Sequence, residues 1–271
     1  MLKIENTETY GWEAAVRGMR NPMNSWDKSD SYDGCLDKDM FEIFKEDGDI
    51  PKNAVWTDNF IKSGCTFVIG DSDIALTKKL AKAGADHRKF MRMITVYCDI
   101  TAPLYWWKEM DQYRIGQTTN SCSTMHKIHA KEFELDDFSH EHVIDFFNDT
   151  DTSQYIDEHG AYNFDSHPII TLLTTGMKET YFSPLGLLKF NIEMLNKCRN
   201  LYLETKDKKY WWQMIQLLPS SYNQKRTVML NYEVLANIYK SRKGHRLDEW
   251  KTMLDWIETL PYSELITGKE E

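Results

Sequence analysis

The 271-residue sequence lacks several features that would define a class of protein at once. No apolar run reaches the roughly 20 residues needed to cross a bilayer, and the first residues show no charged-then-apolar signal pattern. We therefore expect a cytoplasmic protein without membrane attachment. Basic residues number 33 against 42 acidic ones, for a net charge of -9, so a broad positive surface for nucleic acid is not expected either.

Cysteine is also sparse: the five residues are widely spread and form no C-x-x-C pair. This pattern disfavours structural zinc and a disulfide framework, so we expect no metal site. Internal repeats and low-complexity segments are missing too, which excludes solenoids. With 41% hydrophobic residues, the sequence predicts one globular domain over residues 1–271.

One strand stands out, from Met91 to Ile100, because its apolar residues alternate with polar ones. Thr9 is a candidate cap for the first helix, and the Asp71-Ser-Asp run is a cap candidate for the second. The predicted helices are Gly11–Met19, Asp71–Ala83, Leu104–Arg114, Pro184–Glu204, Tyr210–Leu218, Lys225–Arg242 and Leu247–Leu260. The segment 130–182 has weak periodicity and predicts an insertion of irregular structure and short helices.

The first site-bearing segment follows the predicted strand and includes Lys108, Gln112 and Arg114. Lys108 and Gln112 are four residues apart, so both would lie on one helical face, with Arg114 at the exit. The polar run at 117–124 follows at once and could hold a phosphate through side-chain and backbone donors. An ordinary solvated turn is the alternative interpretation.

The second segment follows the Leu218-Pro219 turn and includes Asn231, Asn237 and Arg242. An advance of eleven residues places Arg242 almost over Asn231 on one helix, while Asn237 lies well round the cylinder. A guanidinium can polarise a pyrimidine carbonyl and stabilise developing charge. A basic helix end that only complements the helix dipole is the alternative.

Together these segments resemble the flavin-dependent thymidylate synthases, over roughly residues 76–127 and 210–262. The resemblance implies that Asn231, Asn237 and His87 contact flavin, that Arg114 lies between flavin and nucleotide, and that Arg242 binds and activates the uracil ring. The other implied substrate-binding residues are Lys108, Glu109, Gln112, Asn120, Ser121 and Ser123.

The sequence also departs from the family's pattern at several charged positions. Only one arginine of the opening Arg-His-Arg survives, as Arg114, and Glu109 stands where the family has a glutamine. The closing arginine of the motif is Met125. The residues implied to contact flavin and the pyrimidine thus match the family's pattern, whereas several residues implied to bind the phosphate differ from it.

The resemblance implies an α+β fold with a central, mostly antiparallel sheet flanked by helices, the thymidylate synthase-complementing fold, here with an extra insertion. It implies methylation of dUMP to dTMP, with FAD as cofactor, methylenetetrahydrofolate as carbon donor, NADPH as reductant, and a homotetramer as the assembly. Two alternatives stay open. One is a related enzyme that modifies another pyrimidine nucleotide, and the other is a non-catalytic homologue that binds a nucleotide or a partner protein.

Overall fold

Residues 95–100 of the strand predicted at 91–100 lie in β5 (Thr95–Pro103), whereas Met91 and Arg92 belong to the 3-10 helix Arg88–Arg92. Strand β5 is one of two inner strands in a four-stranded sheet of order β1-β5-β9-β6. Buried Val96, Cys98 and Ile100 alternate with more exposed residues, as the pattern predicted. The computed structural model describes residues 1–35, 54–55, 65–145, 158–159, 171–175 and 178–269. Its strands are β1 (Lys3–Tyr10), β2 (Tyr32–Cys35), β3 (Ala54–Val55), β4 (Cys65–Val68), β5, β6 (Thr118–Ser121), β7 (Thr171–Thr175), β8 (Lys178–Phe182) and β9 (Asn223–Asn231).

The sheet is antiparallel. Strand β1 pairs antiparallel with β5, and β6 pairs antiparallel with β9. A smaller sheet has the order β2-β4-β3, and β7 and β8 form a hairpin. The α-helices are α1 (Trp12–Arg20), α2 (Asp71–Lys82), α3 (Leu104–Met110), α4 (Pro184–Thr205), α5 (Lys208–Leu217), α6 (Tyr232–Arg242), α7 (Asp248–Glu258) and α8 (Glu264–Thr267). The predicted α+β fold with a mostly antiparallel central sheet is confirmed.

The helix predicted from Lys225 to Arg242 is wrong in its first half, where strand β9 stands instead. Val228 and Leu230 are fully buried and Thr227 is exposed, which is the alternation of a strand. Only from Tyr232 does the chain become helix α6. Asn231 is therefore the N-cap of α6 rather than a residue within a helix.

Three other local predictions need correction. Helix α3 ends at Met110, so Gln112 lies outside it and does not share a helical face with Lys108. Part of the predicted polar turn, Thr118–Ser121, is strand β6. Thr9 does not cap α1; its hydroxyl accepts a hydrogen bond from Nε1 of Trp12, while Gly11 is the N-cap residue in the left-handed conformation.

The N-terminal end of helix α2 is capped by Asp30, a residue distant in sequence, rather than by its own Asp-Ser-Asp run. The carboxylate of Asp30 accepts hydrogen bonds from the backbone N–H groups of Ser72 (2.8 Å) and Asp73 (3.1 Å). These donors have no partner within the helix, so a carboxylate there satisfies them and complements the helix dipole.

Contacts between Cα atoms divide the chain into two compact units. The first unit comprises Met1, Ala102–Tyr105 and Cys122–Gln224, and the second comprises Leu2–Thr101, Trp106–Ser121 and Lys225–Glu271. The core of the first unit consists of Ile128, Phe133, Phe138, Ile192, Leu195, Cys198 and Met214. The core of the second includes Trp106, Trp250 and Tyr232, all fully buried. The single-domain organisation stays a prediction.

The predicted insertion at 130–182 contains a 3-10 helix, Leu135–Asp137, and the hairpin of β7 and β8. Residues 146–157, 160–170 and 176–177 of it lie outside the described residues. Across the part of the chain that the structure describes, no helix combines the length and apolar character needed to cross a membrane. The same residues contain no cluster of three metal-ligating side chains.

Candidate functional site

The loop that follows α3 runs alongside helix α6 and contacts both of its ends. The hydroxyl of Tyr113 accepts a hydrogen bond from Nε of Arg242 at the C-terminal end of α6 (2.9 Å). Gly116 lies against Asn231 at the N-terminal end. The two ends of α6 are about 16 Å apart. The loop between them includes Arg114, so the structure brings Arg114, Asn231 and Arg242 onto one side of the second unit.

Arg242 is held by three neighbours in a largely buried position. Its Nη1 lies 2.8 Å from Oε2 of Glu109, and its guanidinium lies 4.4 Å from the ring centroid of Trp250. The arginine side chain is 13% exposed and that of Glu109 is 31% exposed. A guanidinium stacked on an aromatic face and bonded at two nitrogens has one orientation, which a flexible lysine could not reproduce.

Glu109 connects this cluster. Its Oε2 also accepts a hydrogen bond from Nε1 of Trp250 (2.9 Å) and lies 3.3 Å from Nε2 of His245. All of these contacts use the same oxygen. Among the described residues, Oε1 of Glu109 and Nη2 of Arg242 have no hydrogen-bond partner, so the pair retains one unused acceptor and one unused donor.

Asn231 is occupied by the fold. Its Oδ1 accepts a hydrogen bond from the backbone N–H of Val234 (2.9 Å), which caps α6. Its Nδ2 packs on Gly116, whose φ of +78° favours glycine, and a Cβ on that glycine would lie 2.4 Å from the amide nitrogen. The side chain of Asn231 is therefore fixed at the N-terminal end of α6, in contact with Gly116 of the loop.

His87 and Asn237 lie elsewhere on the second unit. Asn237 is about 140° round α6 from Arg242. Its Oδ1 accepts a long hydrogen bond from Arg88 (3.4 Å), the neighbour of His87 in sequence. Nε of Arg88 lies 2.9 Å from Oε2 of Glu233, but the two atoms do not meet the geometry of a hydrogen bond, so they form an ion pair only. Both His87 and Asn237 are exposed. The structure thus separates the predicted flavin residues into two groups.

The remaining predicted residues are solvent-exposed. Lys108, Gln112 and Arg114 are exposed, and Nε of Arg114 donates only to the backbone oxygen of Asp111 (3.3 Å). Asn120 and Ser121 are exposed on β6, opposite Thr227 and Arg226 of β9. Ser123 belongs to the first unit, where its Oγ accepts hydrogen bonds from the backbone N–H groups of Met125 (3.3 Å) and His126 (2.8 Å).

A cleft of about 160 Å³ lies beside this cluster and is lined by Asp111, Tyr113, Arg114, Gln117 and Thr119. Its volume is below that of a nucleotide pocket. Arg226 contacts Asp111, one of the lining residues: its Nη1 lies 2.7 Å from the Asp111 carboxylate, and its guanidinium lies 4.1 Å from the ring centroid of Trp107. Arg114 is thus the exposed cation of a small polar cleft.

Sequence reasoning missed two residues that hold Arg242: Trp250 and His245. Neither lies in a motif. Trp250 reaches Glu109 from helix α7, which packs next to α6, and His245 reaches it from the turn between these two helices. A tryptophan three residues after the start of a predicted helix ordinarily indicates a buried core residue. No spacing signal in the sequence points to its partner 141 positions away.

No protein-family model and no curated protein matches the sequence. Solved structures do match. The chain has the fold of the flavin-dependent thymidylate synthases, which confirms the resemblance at the level of fold. The ThyX enzyme of Helicobacter pylori, solved with FAD and dUMP, superposes with a TM-score of 0.55 at 12% identity, covering 98% of this chain and 97% of that one.

A second structure of the Helicobacter pylori enzyme, also complexed with FAD and dUMP, gives a TM-score of 0.55 at 13% identity, with coverage of 98% and 97%. The UMP/dUMP methylase PolB of Streptomyces cacaoi, bound with 5-Br dUMP, gives 0.49 at 12% identity, with coverage of 99% and 95%.

Proposed function

We propose that this protein is a flavin-dependent enzyme that methylates dUMP to dTMP, with Arg242 at the pyrimidine ring. Methylenetetrahydrofolate would donate the carbon and NADPH would be the reductant, in a homotetramer. The observation that carries the proposal is the arrangement of Arg242: a guanidinium stacked on Trp250, held by Tyr113 and Glu109, and left with an unused donor. The shared fold with enzymes solved with FAD and dUMP supports it.

The chemistry of the Arg242–Glu109 pair suits a pyrimidine edge. A uracil ring offers an N–H donor next to a carbonyl acceptor, and the pair retains an unused acceptor, Glu109 Oε1, and an unused donor, Arg242 Nη2. In the reaction the guanidinium would stabilise negative charge that develops on the ring carbonyl. The low exposure of both side chains strengthens that interaction, because fewer water molecules screen it.

The residues predicted to hold FAD fit that role in part. His87, Asn237 and Arg114 are exposed and have donor or acceptor atoms to offer. Asn231, by contrast, already uses its oxygen as a helix cap and its nitrogen against Gly116. We therefore assign His87, Asn237 and Arg114 to cofactor contact and Asn231 to positioning the loop. FAD, when bound and reduced, would supply the hydride, while protein groups orient it.

The proposal is tested by reconstituting the purified protein with FAD and reducing it with NADPH. The loaded protein is then offered dUMP and methylenetetrahydrofolate, and the product is identified by mass. We expect dTMP from the wild type and none from Arg242→Ala, while Arg246→Ala, an exposed arginine of the same unit, keeps full activity. A protein that takes up no flavin, or that makes dTMP equally well without Arg242, would refute the assignment.

A cytosine nucleotide is the second candidate substrate, and Glu109 is the observation that favours it. A carboxylate oxygen accepts well from the exocyclic amino group of cytosine, whereas the family's glutamine can also donate to a carbonyl. Offering dCMP in the same assay separates the two. Modified dCMP with no dTMP would replace the first proposal, and dTMP alone would exclude the second.

A further inference from the structure

The second unit contains a cavity of about 600 Å³ on a different side of α6 from Arg242. Helices α2 and α6 and the segment from Glu264 to Lys269 form its walls. Tyr239 and Lys240 line this cavity and lie about 60° and about 160° round the helix from Arg242, and Lys243, which follows the end of the helix, lines it too. Its volume is in the range that binds small molecules, unlike the cleft beside Arg114.

The lining of the cavity is rich in basic side chains, in contrast to the net charge of -9 for the whole chain. Glu264 is its one acidic residue among those described, and it pairs with Lys78 at 3.2 Å. The six basic residues are Lys78, Lys82, Arg88, Lys240, Lys243 and Lys269.

Several of these cations have acidic partners, which lower the net positive charge of the cavity. Arg88 faces Glu233 at 2.9 Å, and Lys269 lies 2.6 Å from Glu258. With Lys82 left out of the balance, the other five cations oppose three anions, which are those two carboxylates and Glu264. Among the described residues, neither Lys240 nor Lys243 forms an ion pair within 4.0 Å. The cavity thus keeps an excess of positive charge.

Helix dipoles do not account for this excess. Both α2 and α6 end at the cavity, and lysines near a helix C-terminus complement its dipole. Each end contributes roughly half a negative charge, so two ends offset about one lysine. About one uncompensated positive charge remains after the carboxylates and the helix ends are counted.

The rest of the lining is apolar. Ala81, Ala236, Leu265 and Ile266 line the cavity, and so does the ring of Tyr239, whose hydroxyl donates to Glu258 at 2.6 Å. Because that hydroxyl is already bonded, the tyrosine offers mainly its ring. A cavity lined by lysines, apolar side chains and a tyrosine ring suits a ligand that combines several anionic groups with a flat ring system.

We infer that this cavity, the α2–α6 cavity, binds a nucleotide that carries two or more phosphate groups, at a site distinct from the proposed pyrimidine site. Lys240 and Lys243 contact the phosphates, and the base packs on the apolar wall beside Tyr239. The inference does not depend on the proposed reaction, because the cavity shares none of its lining residues with the Arg242 cluster.

The test is isothermal titration of the full-length protein at low salt without divalent cations, with ATP and with inorganic tripolyphosphate as probes. We expect one ATP per chain, bound at least about fivefold more tightly than tripolyphosphate, a difference of about 1 kcal/mol. Lys240→Gln combined with Lys243→Gln should raise the ATP dissociation constant at least about tenfold. Added salt should weaken the binding.

Two controls make the outcome specific. Lys189→Gln combined with Lys197→Gln removes two exposed lysines of α4 and should leave ATP binding unchanged. Arg242→Ala should also bind ATP like the wild type, which separates this site from the proposed active site. Absent ATP binding, or binding that the α6 double substitution leaves intact, overturns the inference; equal binding of tripolyphosphate overturns the contact with the base.

Discussion

The carboxylate of Glu109 lies 2.8 Å from Nη1 of Arg242, so the arginine proposed to act on the pyrimidine is charge-paired within the protein itself. The resemblance places a glutamine at this position, so this pair is a departure from the family. A carboxylate here orients the guanidinium and lowers its net charge toward a substrate. Arg242 is therefore better suited to forming a directed hydrogen bond than to attracting an anion over a distance.

Glu109→Ala should destabilise the protein, because it leaves the buried Nε1 of Trp250 without an acceptor. Trp250 is fully buried, and a buried donor without a partner costs about 1–3 kcal/mol. We expect the free energy of unfolding in urea to fall by about 2 kcal/mol. Glu109→Gln keeps an oxygen acceptor and should lose less than about 1 kcal/mol. Glu193→Ala, an exposed change on α4, is the control. Equal losses in the alanine and glutamine variants would contradict this account.

Arg242→Lys should abolish most of the turnover if the proposed function holds. A lysine retains the charge but cannot stack on Trp250 while donating to both Tyr113 and Glu109. Loss of a donor that stabilises charge in the transition state typically costs about a hundredfold or more in kcat. Steady-state kinetics with dUMP measure this loss, and Arg246→Lys is the matched control. Retention of near wild-type kcat by Arg242→Lys would argue that only the charge matters.

The helices of the first unit could be predicted closely because their signals are local. Helix α4 begins at Pro184 as predicted, since Ser183 caps it by accepting from the backbone N–H of Gly186 (3.1 Å). Helix α5 begins after Asp207, which accepts from the backbone N–H of Lys209. In both cases the residues that define the start lie within three positions of it.

Strand β9 could not be predicted in the same way. The residues at 225–230 include lysine, arginine, methionine and leucine, which favour a helix when taken alone. Pairing with β6, about a hundred positions away, overrides that preference. At the site, the resemblance proposed roles for Arg242 and Asn231. The contact of Trp250 with Glu109 joins segments 141 positions apart, and Asn231 caps a helix only because the residues before it form strand β9.

Gly116→Ala should disturb the head of α6. The new Cβ would lie 2.4 Å from Nδ2 of Asn231, so the asparagine must move and weaken its cap on Val234. Loss of an N-cap costs about 1 kcal/mol, in addition to the cost of a left-handed alanine. Gly244→Ala is a matched control, because its φ of +75° is nearly the same and nothing lies within 4 Å of its Cβ. We expect Gly116→Ala to lose at least about 1 kcal/mol more in urea unfolding than Gly244→Ala.

A buried carboxylate, Asp73, should make the protein sensitive to acid. Its side chain is 0% exposed and accepts hydrogen bonds at 2.6 Å from Nε of Arg20, Oγ of Ser29 and Oγ of Ser31. Burial by itself raises the pKa of Asp73, but the hydrogen bonds from Ser29, Ser31 and Arg20 outweigh it and hold the pKa below its ordinary value. Arg20 is only 4% exposed, so it depends on this partner.

Because the pKa of Asp73 is lower in the folded state than in the unfolded state, its contribution is complete above the unfolded pKa of about 3.9 and is lost as pH falls through the folded pKa. Asp73→Asn should reduce the free energy of unfolding at pH 7 by about 3 kcal/mol, because Arg20 is left buried without a counter-charge. As the pH falls below 4, the free energy of unfolding should also decrease less in the variant than in the wild type. Asp86→Asn, an exposed change, serves as the control. Parallel stability curves for Asp73→Asn and the wild type below pH 4 would show that other carboxylates cause the acid sensitivity.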